Sequence, residues 1–180
     1  IYRVEDRSSK TTFTSRNTYS YTMAATAAAS VAAAAASSLL FSVAGKNVLV
    51  TGGSRGIGYM IAKGFQQHGA HVLLTSRSEE ACRQASQELQ CAYVVSDLSS
   101  RAGCEELAAK VGEHFDDGKL HVLVNNAGAA WGEPIERESS PLSNWGWDKV
   151  LNLNVKSLFY LTRACLPYLE AAAVRGGGGG

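Results

Sequence analysis

The run Thr51-Gly52-Gly53-Ser54-Arg55-Gly56-Ile57-Gly58 stands between an apolar stretch, Val48-Leu49-Val50, and a segment with helical apolar spacing. A strand that ends in a glycine turn and opens into a helix aims the first backbone N–H groups of that helix, and the positive end of its dipole, at one spot. That spot suits a diphosphate. Gly52 allows the tight turn, Gly56 removes a side chain where phosphates must approach, and Gly58 lets the helix pack close to the strand. Ser54, Arg55 and Ile57 belong to the same turn and join these glycines as expected cofactor-binding residues. The spacing is TGxxxGxG rather than GxGxxG, and the flanking strand and helix supply the context that a glycine motif requires.

From residue 45 onward apolar runs alternate with amphipathic segments. Strands are expected at 47–50, 70–75, 91–95 and 120–124, and helices at 59–68, 79–89, 102–115 and 145–170. Gly69 stands where helices favour a terminating glycine. Continuous apolar strands alternating with helices predict an α/β fold, a doubly wound parallel sheet of the Rossmann type with helices on both faces and about four strands. The glycine turn, Arg77, Asp97 and Asn125-Asn126-Ala127-Gly128 each follow a strand, so all four should open into one crevice at the carboxyl ends of the strands.

The chain of 180 residues suffices for one domain with a sizeable core, and a net charge of +1 makes no electrostatic case for nucleic acid or a membrane surface. Cys82, Cys91, Cys104 and Cys165 show no CxxC pairing and read as reduced, mostly buried thiols of an intracellular protein. The four histidines are scattered, and no metal site is expected. Residues 1–44 are expected to be a disordered, Ala/Ser/Thr-rich segment, 45–175 a partial nucleotide-binding domain, and 176–180 a glycine tail. The first methionine is Met23, and Arg3, Arg7, Lys10 and Arg16 among serines and threonines leave an organellar presequence open beside a featureless tail. The expected compartment is cytoplasmic, or organellar if that presequence operates. The Ala-rich run has too little transfer energy to span a membrane.

The second expected strand runs into Ser76-Arg77-Ser78, and no acid follows until Glu79. A carboxylate at this place would accept from the adenosine ribose of NAD. Arg77, with Arg55 on the same side and Ser76 between strand and arginine, instead suits the 2′-phosphate of NADP(H). Each arginine taken alone reads better as a solvated surface charge; it is the pair at these two positions that favours the phosphate.

With these motifs in order, the chain resembles the short-chain dehydrogenase/reductases from about Gly45 to about Glu170. The resemblance rests on TGGSRGIG at 51–58, Asp97-Leu98, Asn125-Asn126-Ala127-Gly128, and Asn154 in the last helix. It implies that Asp97 and Leu98 hold the adenine, that Asn125, Ala127 and Gly128 back the nicotinamide side, and that Asn154 belongs to the catalytic set. Two stretches, 52–62 and 125–132, look closest to 3-oxoacyl-acyl-carrier-protein reductase-like members of the rhamnolipid-pathway type. The implied activity is NADPH-dependent reduction of a small-molecule ketone, such as a 3-oxoacyl thioester, or oxidation of the alcohol. The alternative is a catalytically silent nucleotide-binding fragment or truncated gene model.

The family's serine and YxxxK follow the helix that carries Asn154, and the residues past Asn154 offer no counterpart. The one literal YxxxK pairs Tyr59 with Lys63, in the first turns of the phosphate-binding helix, and reads as packing plus a surface lysine. Ser139, Ser140 and Ser143 precede Asn154 and read as loop and cap. In the last helix, Leu151, Val155, Leu158, Phe159, Thr162, Cys165, Leu166 and Leu169 are expected to form the buried stripe, with Val150, Leu153, Leu161, Ala164 and Tyr168 as further apolar surface. That excess fits a homo-oligomer interface, which the resemblance also implies for the full-length protein, or cover by the rest of the same domain.

Overall fold

The computed structural model describes residues 42–132 and 145–173. The expectations for the N-terminal segment, for Ser139, Ser140 and Ser143, and for the glycine tail lie outside the described residues. Four strands, β1 (Asn47–Thr51), β2 (His71–Ser76), β3 (Ala92–Val95) and β4 (Val122–Val124), form one parallel sheet in the order β3-β2-β1-β4. Between them run α1 (Gly56–Gln67), α2 (Glu79–Leu89) and α3 (Arg101–His114). After β4 come α4 (Trp145–Leu151), a π-helical turn at Asn152–Lys156, and α5 (Ser157–Ala173). The Rossmann-type α/β arrangement is as expected from the sequence.

The five residues of β1 are all buried, because helices cover both faces. Val48 and Val50 point to one side, where they join Val72, Leu74, Ala62 of α1 and Cys82, Ala85 and Leu89 of α2. Leu49 and Leu73 point to the other, into a cluster with Leu98, Leu107 and Val111 of α3 and Leu161 and Cys165 of α5. The sheet order reverses at β1, which pairs with β2 on one side and β4 on the other. A crevice therefore opens above that point, at the carboxyl ends of the strands.

Most strand and helix limits fall within one residue of the sequence reading, and three elements depart further. Helix α1 starts at Gly56 rather than residue 59, so the glycine turn leads into it without an intervening loop. Strand β4 starts at Val122 rather than 120: the Leu120 N–H is taken by the Tyr168 carbonyl, at 3.0 Å, before the chain joins the ladder. The expected helix over 145–170 is interrupted by the π turn.

The last difference also corrects the expected stripe. A π turn adds a residue per turn and rotates the helix beyond it. The buried side chains are Leu153, Ser157, Leu161 and Cys165, at four-residue spacing. Leu151, Val155, Phe159 and Leu166 of the expected stripe are exposed instead, Val155 by 58% and Phe159 by 62%. Leu161 and Leu153, expected as secondary surface, form the packed face.

The cysteines behave as expected. Cys82, Cys104 and Cys165 are buried, Cys91 is half-buried, and all four are free. Burial pushes the Cys91 and Cys165 thiols up to about 11, so both stay protonated near neutrality. Among the described residues, no helix is long and apolar enough to cross a membrane, and no cluster of three or more metal-ligating side chains forms.

Candidate functional site

The crevice has a volume of about 550 Å³, within the range of small-molecule sites. Its floor is the glycine turn. Gly52 has φ +65°, and a Cβ there would come 3.0 Å from Asn126 Nδ2 and 3.1 Å from Ala127 Cα. Gly58 admits no Cβ at all, because the Gly52 carbonyl and the Asn126 amide occupy that space. Gly56, with φ +57°, faces open space, which leaves its backbone approachable.

The start of α1 differs from those of its neighbours. Ser78 Oγ accepts from the Ala81 N–H at 3.3 Å to cap α2, and Ser100 Oγ accepts from the Gly103 N–H at 3.1 Å to cap α3. Arg55 stands at the same position before α1 and makes no side-chain cap. The first amides of α1 are therefore not capped by the side chain that precedes the helix.

The turn is locked to the end of β4. Thr51 Oγ1 donates to the Val124 carbonyl at 3.1 Å and accepts from the N–H groups of Asn126 (2.9 Å) and Ala127 (3.0 Å). Asn126 Nδ2 donates to the carbonyls of Thr51 at 2.9 Å and Gly52 at 3.4 Å. Thr51, at the carboxyl end of β1, thus fixes the distance between the glycine turn and Ala127-Gly128 across the reversal point.

Of the residues expected from the sequence, Gly52, Ser54, Arg55, Gly56, Ile57, Gly58, Ser76, Arg77, Leu98, Ala127 and Gly128 line this one crevice. Asp97, Asn125 and Asn154 do not. Asp97 Oδ1 accepts from the Ser99 N–H at 3.0 Å in the turn leaving β3. Asn125 Nδ2 turns away to Thr162 Oγ1 on α5, at 3.1 Å. Asn154 grips the segment that follows β4: its Oδ1 accepts from the Ala129 N–H and its Nδ2 donates to the Ala129 carbonyl, both at 2.8 Å. It approaches the crevice through Gly128, where a Cβ would lie 3.3 Å from Asn154 Oδ1.

Asn126 lines the crevice too, as expected of the run 125–128, and Thr75, Ser78, Ala81, Ser96 and Leu153 also line it but were missed in the sequence. Thr75, Ser78 and Ser96 sit beside strand ends already singled out, and that proximity was a usable signal. Leu153 carries no sequence signal, since it arrives with the π turn. Tyr59 and Lys63 lie outside the crevice: Tyr59 Oη donates to Glu88 Oε2 of α2 at 2.8 Å, and that bond raises its pKa further above the usual phenol range.

Among the described residues no carboxylate lines the crevice, whereas two guanidiniums do, Arg55 and Arg77. Approachable helix amides, glycines that exclude side chains and two cations in one crevice fit an anionic nucleotide carrying more than one phosphate group.

Comparison with known proteins agrees with this geometry. The family model described as short chain dehydrogenase matches residues 46–179. A Pseudomonas aeruginosa protein named rhamnolipids biosynthesis 3-oxoacyl-[acyl-carrier-protein] reductase is 46% identical over 137 residues, which are 74% of this chain and 51% of that protein. Among solved structures, the Pseudomonas aeruginosa RhlG/NADP active-site complex superposes with a TM-score of 0.67 at 44% identity, covering 74% of this chain and 51% of that one. The NADH-dependent reductase A1-R′ complexed with NAD gives a TM-score of 0.65 at 30% identity, over 73% and 55%. The chain thus spans about half the length of the relatives it matches.

Proposed function

The chain belongs to the short chain dehydrogenase family of oxidoreductases, and from that premise we propose that it forms the nucleotide-binding part of an NADP(H)-dependent carbonyl reductase. The observation that carries the choice of nucleotide is the pair Arg55 and Arg77 in a crevice that no carboxylate lines among the described residues. A guanidinium meets a phosphate with two parallel charge-assisted hydrogen bonds, whereas a carboxylate here would repel it. The relatives include both an NADP complex and an NAD complex, and the two arginines support the NADP(H) reading here.

In this reading the α1 amides and Gly56 receive the diphosphate, and Arg55 and Arg77 receive the 2′-phosphate. Leu98 flanks the adenine, with Asp97 holding the turn behind it through the Ser99 N–H, and Ala127 and Gly128 back the nicotinamide. Asn125 and Asn154 hold the segment after β4 in place through Thr162 and Ala129 rather than by touching the ligand. The bound nucleotide would supply hydride at the nicotinamide ring. The substrate would be a 3-oxoacyl thioester or a similar ketone, by likeness to the rhamnolipid reductase.

Titration of the chain with NADPH and NADH tests the nucleotide. NADPH is expected to bind more tightly, and Arg77→Ala to cost about 1.5–3 kcal/mol, roughly tenfold or more in Kd, with little effect on NADH. Unchanged NADPH affinity in the variant would show the assignment of Arg77 to be wrong.

The 180-residue chain by itself is expected to leave a 3-oxoacyl thioester unreduced, because Tyr59 and Lys63, its literal YxxxK, lie outside the crevice. NADPH oxidation above background that is abolished by Tyr59→Phe would overturn this.

A further inference from the structure

Two threonines stand side by side at the carboxyl ends of β1 and β2, Thr51 and Thr75, paired in register. Both are buried, with exposures of 1% and 0%. Thr51 Oγ1 engages three backbone groups of β4 and the segment after it. Thr75 Oγ1 has no hydrogen-bond partner among the described residues.

The Thr75 backbone is held on both sides. Its carbonyl accepts from the Gly53 N–H at 3.2 Å, and it pairs with Val94 of β3. Alternation along β2 puts its side chain on the face of Leu73, which packs in the same cluster as Leu98. There it lines the crevice, two residues before Arg77 and in the company of Ser96 and Leu98.

A buried hydroxyl with no partner destabilises a fold, and valine would fill the same space without that penalty. The unspent donor and acceptor lie at the Arg77 end of the crevice. We propose that Thr75 is a further nucleotide-binding residue, whose hydroxyl hydrogen-bonds the adenosine half of the ligand. This rests on the nucleotide reading above.

The test compares the parent chain with Thr75→Val and Thr75→Ser, by thermal unfolding without nucleotide and by calorimetric titration with NADPH and with 2′,5′-ADP, which carries only the adenosine half. Thr75→Val should unfold at a higher temperature than the parent when nucleotide is absent. It should bind both ligands about fivefold more weakly, as the loss of one neutral hydrogen bond predicts. Thr75→Ser should restore most of the affinity.

A lower unfolding temperature for Thr75→Val would mean that the hydroxyl is already satisfied in the free protein, and would overturn the proposal. So would parental affinity of Thr75→Val for NADPH, or a loss seen with NADPH but not with 2′,5′-ADP. Those outcomes leave the nucleotide reading standing. Failure of the parent chain to bind either ligand overturns both.

Discussion

The amide of Asn47 donates to Nδ1 of His121 at 3.0 Å, so at this site the imidazole must be neutral and unprotonated at Nδ1. The same asparagine uses its side chain to reach Asp117 Oδ1 at 3.0 Å and the Lys119 carbonyl at 2.9 Å, pinning the start of β1 to the turn before β4. Partial burial and the nearby charge of Lys46 hold the His121 pKa below the usual imidazole value, against the opposing pull of Asp117. The unfolded chain then takes up a proton near pH 6.5 while the folded chain still resists it. Stability is therefore complete above that pH and falls as the pH drops through it toward the folded pKa. Unfolding temperatures at pH 7.5 and 5.5 should differ more for the parent than for His121→Gln, which cannot titrate. Equal differences would show that His121 contributes nothing to the acid sensitivity.

At the scale of elements, what could be read in advance was what local chemistry enforces. Gly58 must be glycine for α1 to start against the Gly52 carbonyl, and the run of small residues announced that contact. Arg77 was visible because it closes the turn after β2, whose centre Val72-Leu73-Leu74 is apolar, with no acid before Glu79. The start of β4 was misplaced because it depends on a distant partner, the Tyr168 carbonyl that takes the Leu120 amide. The π turn was invisible for a related reason. Asn154 reaches back to both backbone groups of Ala129, 25 residues earlier, and no periodicity within 145–170 encodes that contact. One unseen turn then reassigned the buried face of α5. Asp97 and Asn125 illustrate the converse: a correct strand end places a residue near the crevice, but its side chain follows whichever hydrogen bond is nearest, here Ser99 N–H and Thr162 Oγ1.

For the whole molecule, the rotation of α5 has a consequence for association. Its packed face, through Leu153, Leu161 and Cys165, is satisfied by α3 and the sheet, where Gly112 lets the Tyr168 ring approach closely. The other side of the π turn and α5 carries Val155, Phe159 and Leu166, continuing Leu151 and the 67%-exposed Trp147 of α4. Neighbouring large apolar side chains on one exposed helical surface form the kind of patch that monomers rarely leave open. Burying a side chain such as Phe159 yields about 1.5–3 kcal/mol, so several together can offset the cost of association. The 180-residue chain should therefore self-associate at tens of micromolar, with a light-scattering mass that rises with concentration. Phe159→Ser together with Val155→Ser should shift the population toward monomer. These side chains are exposed on the π turn and α5, away from the packed face, so the variant should keep the unfolding temperature of the parent within a few degrees. A parent chain that stays a monodisperse monomer over that concentration range would remove the case for this face as a contact surface, whether its cover is a second copy or further residues of the same domain.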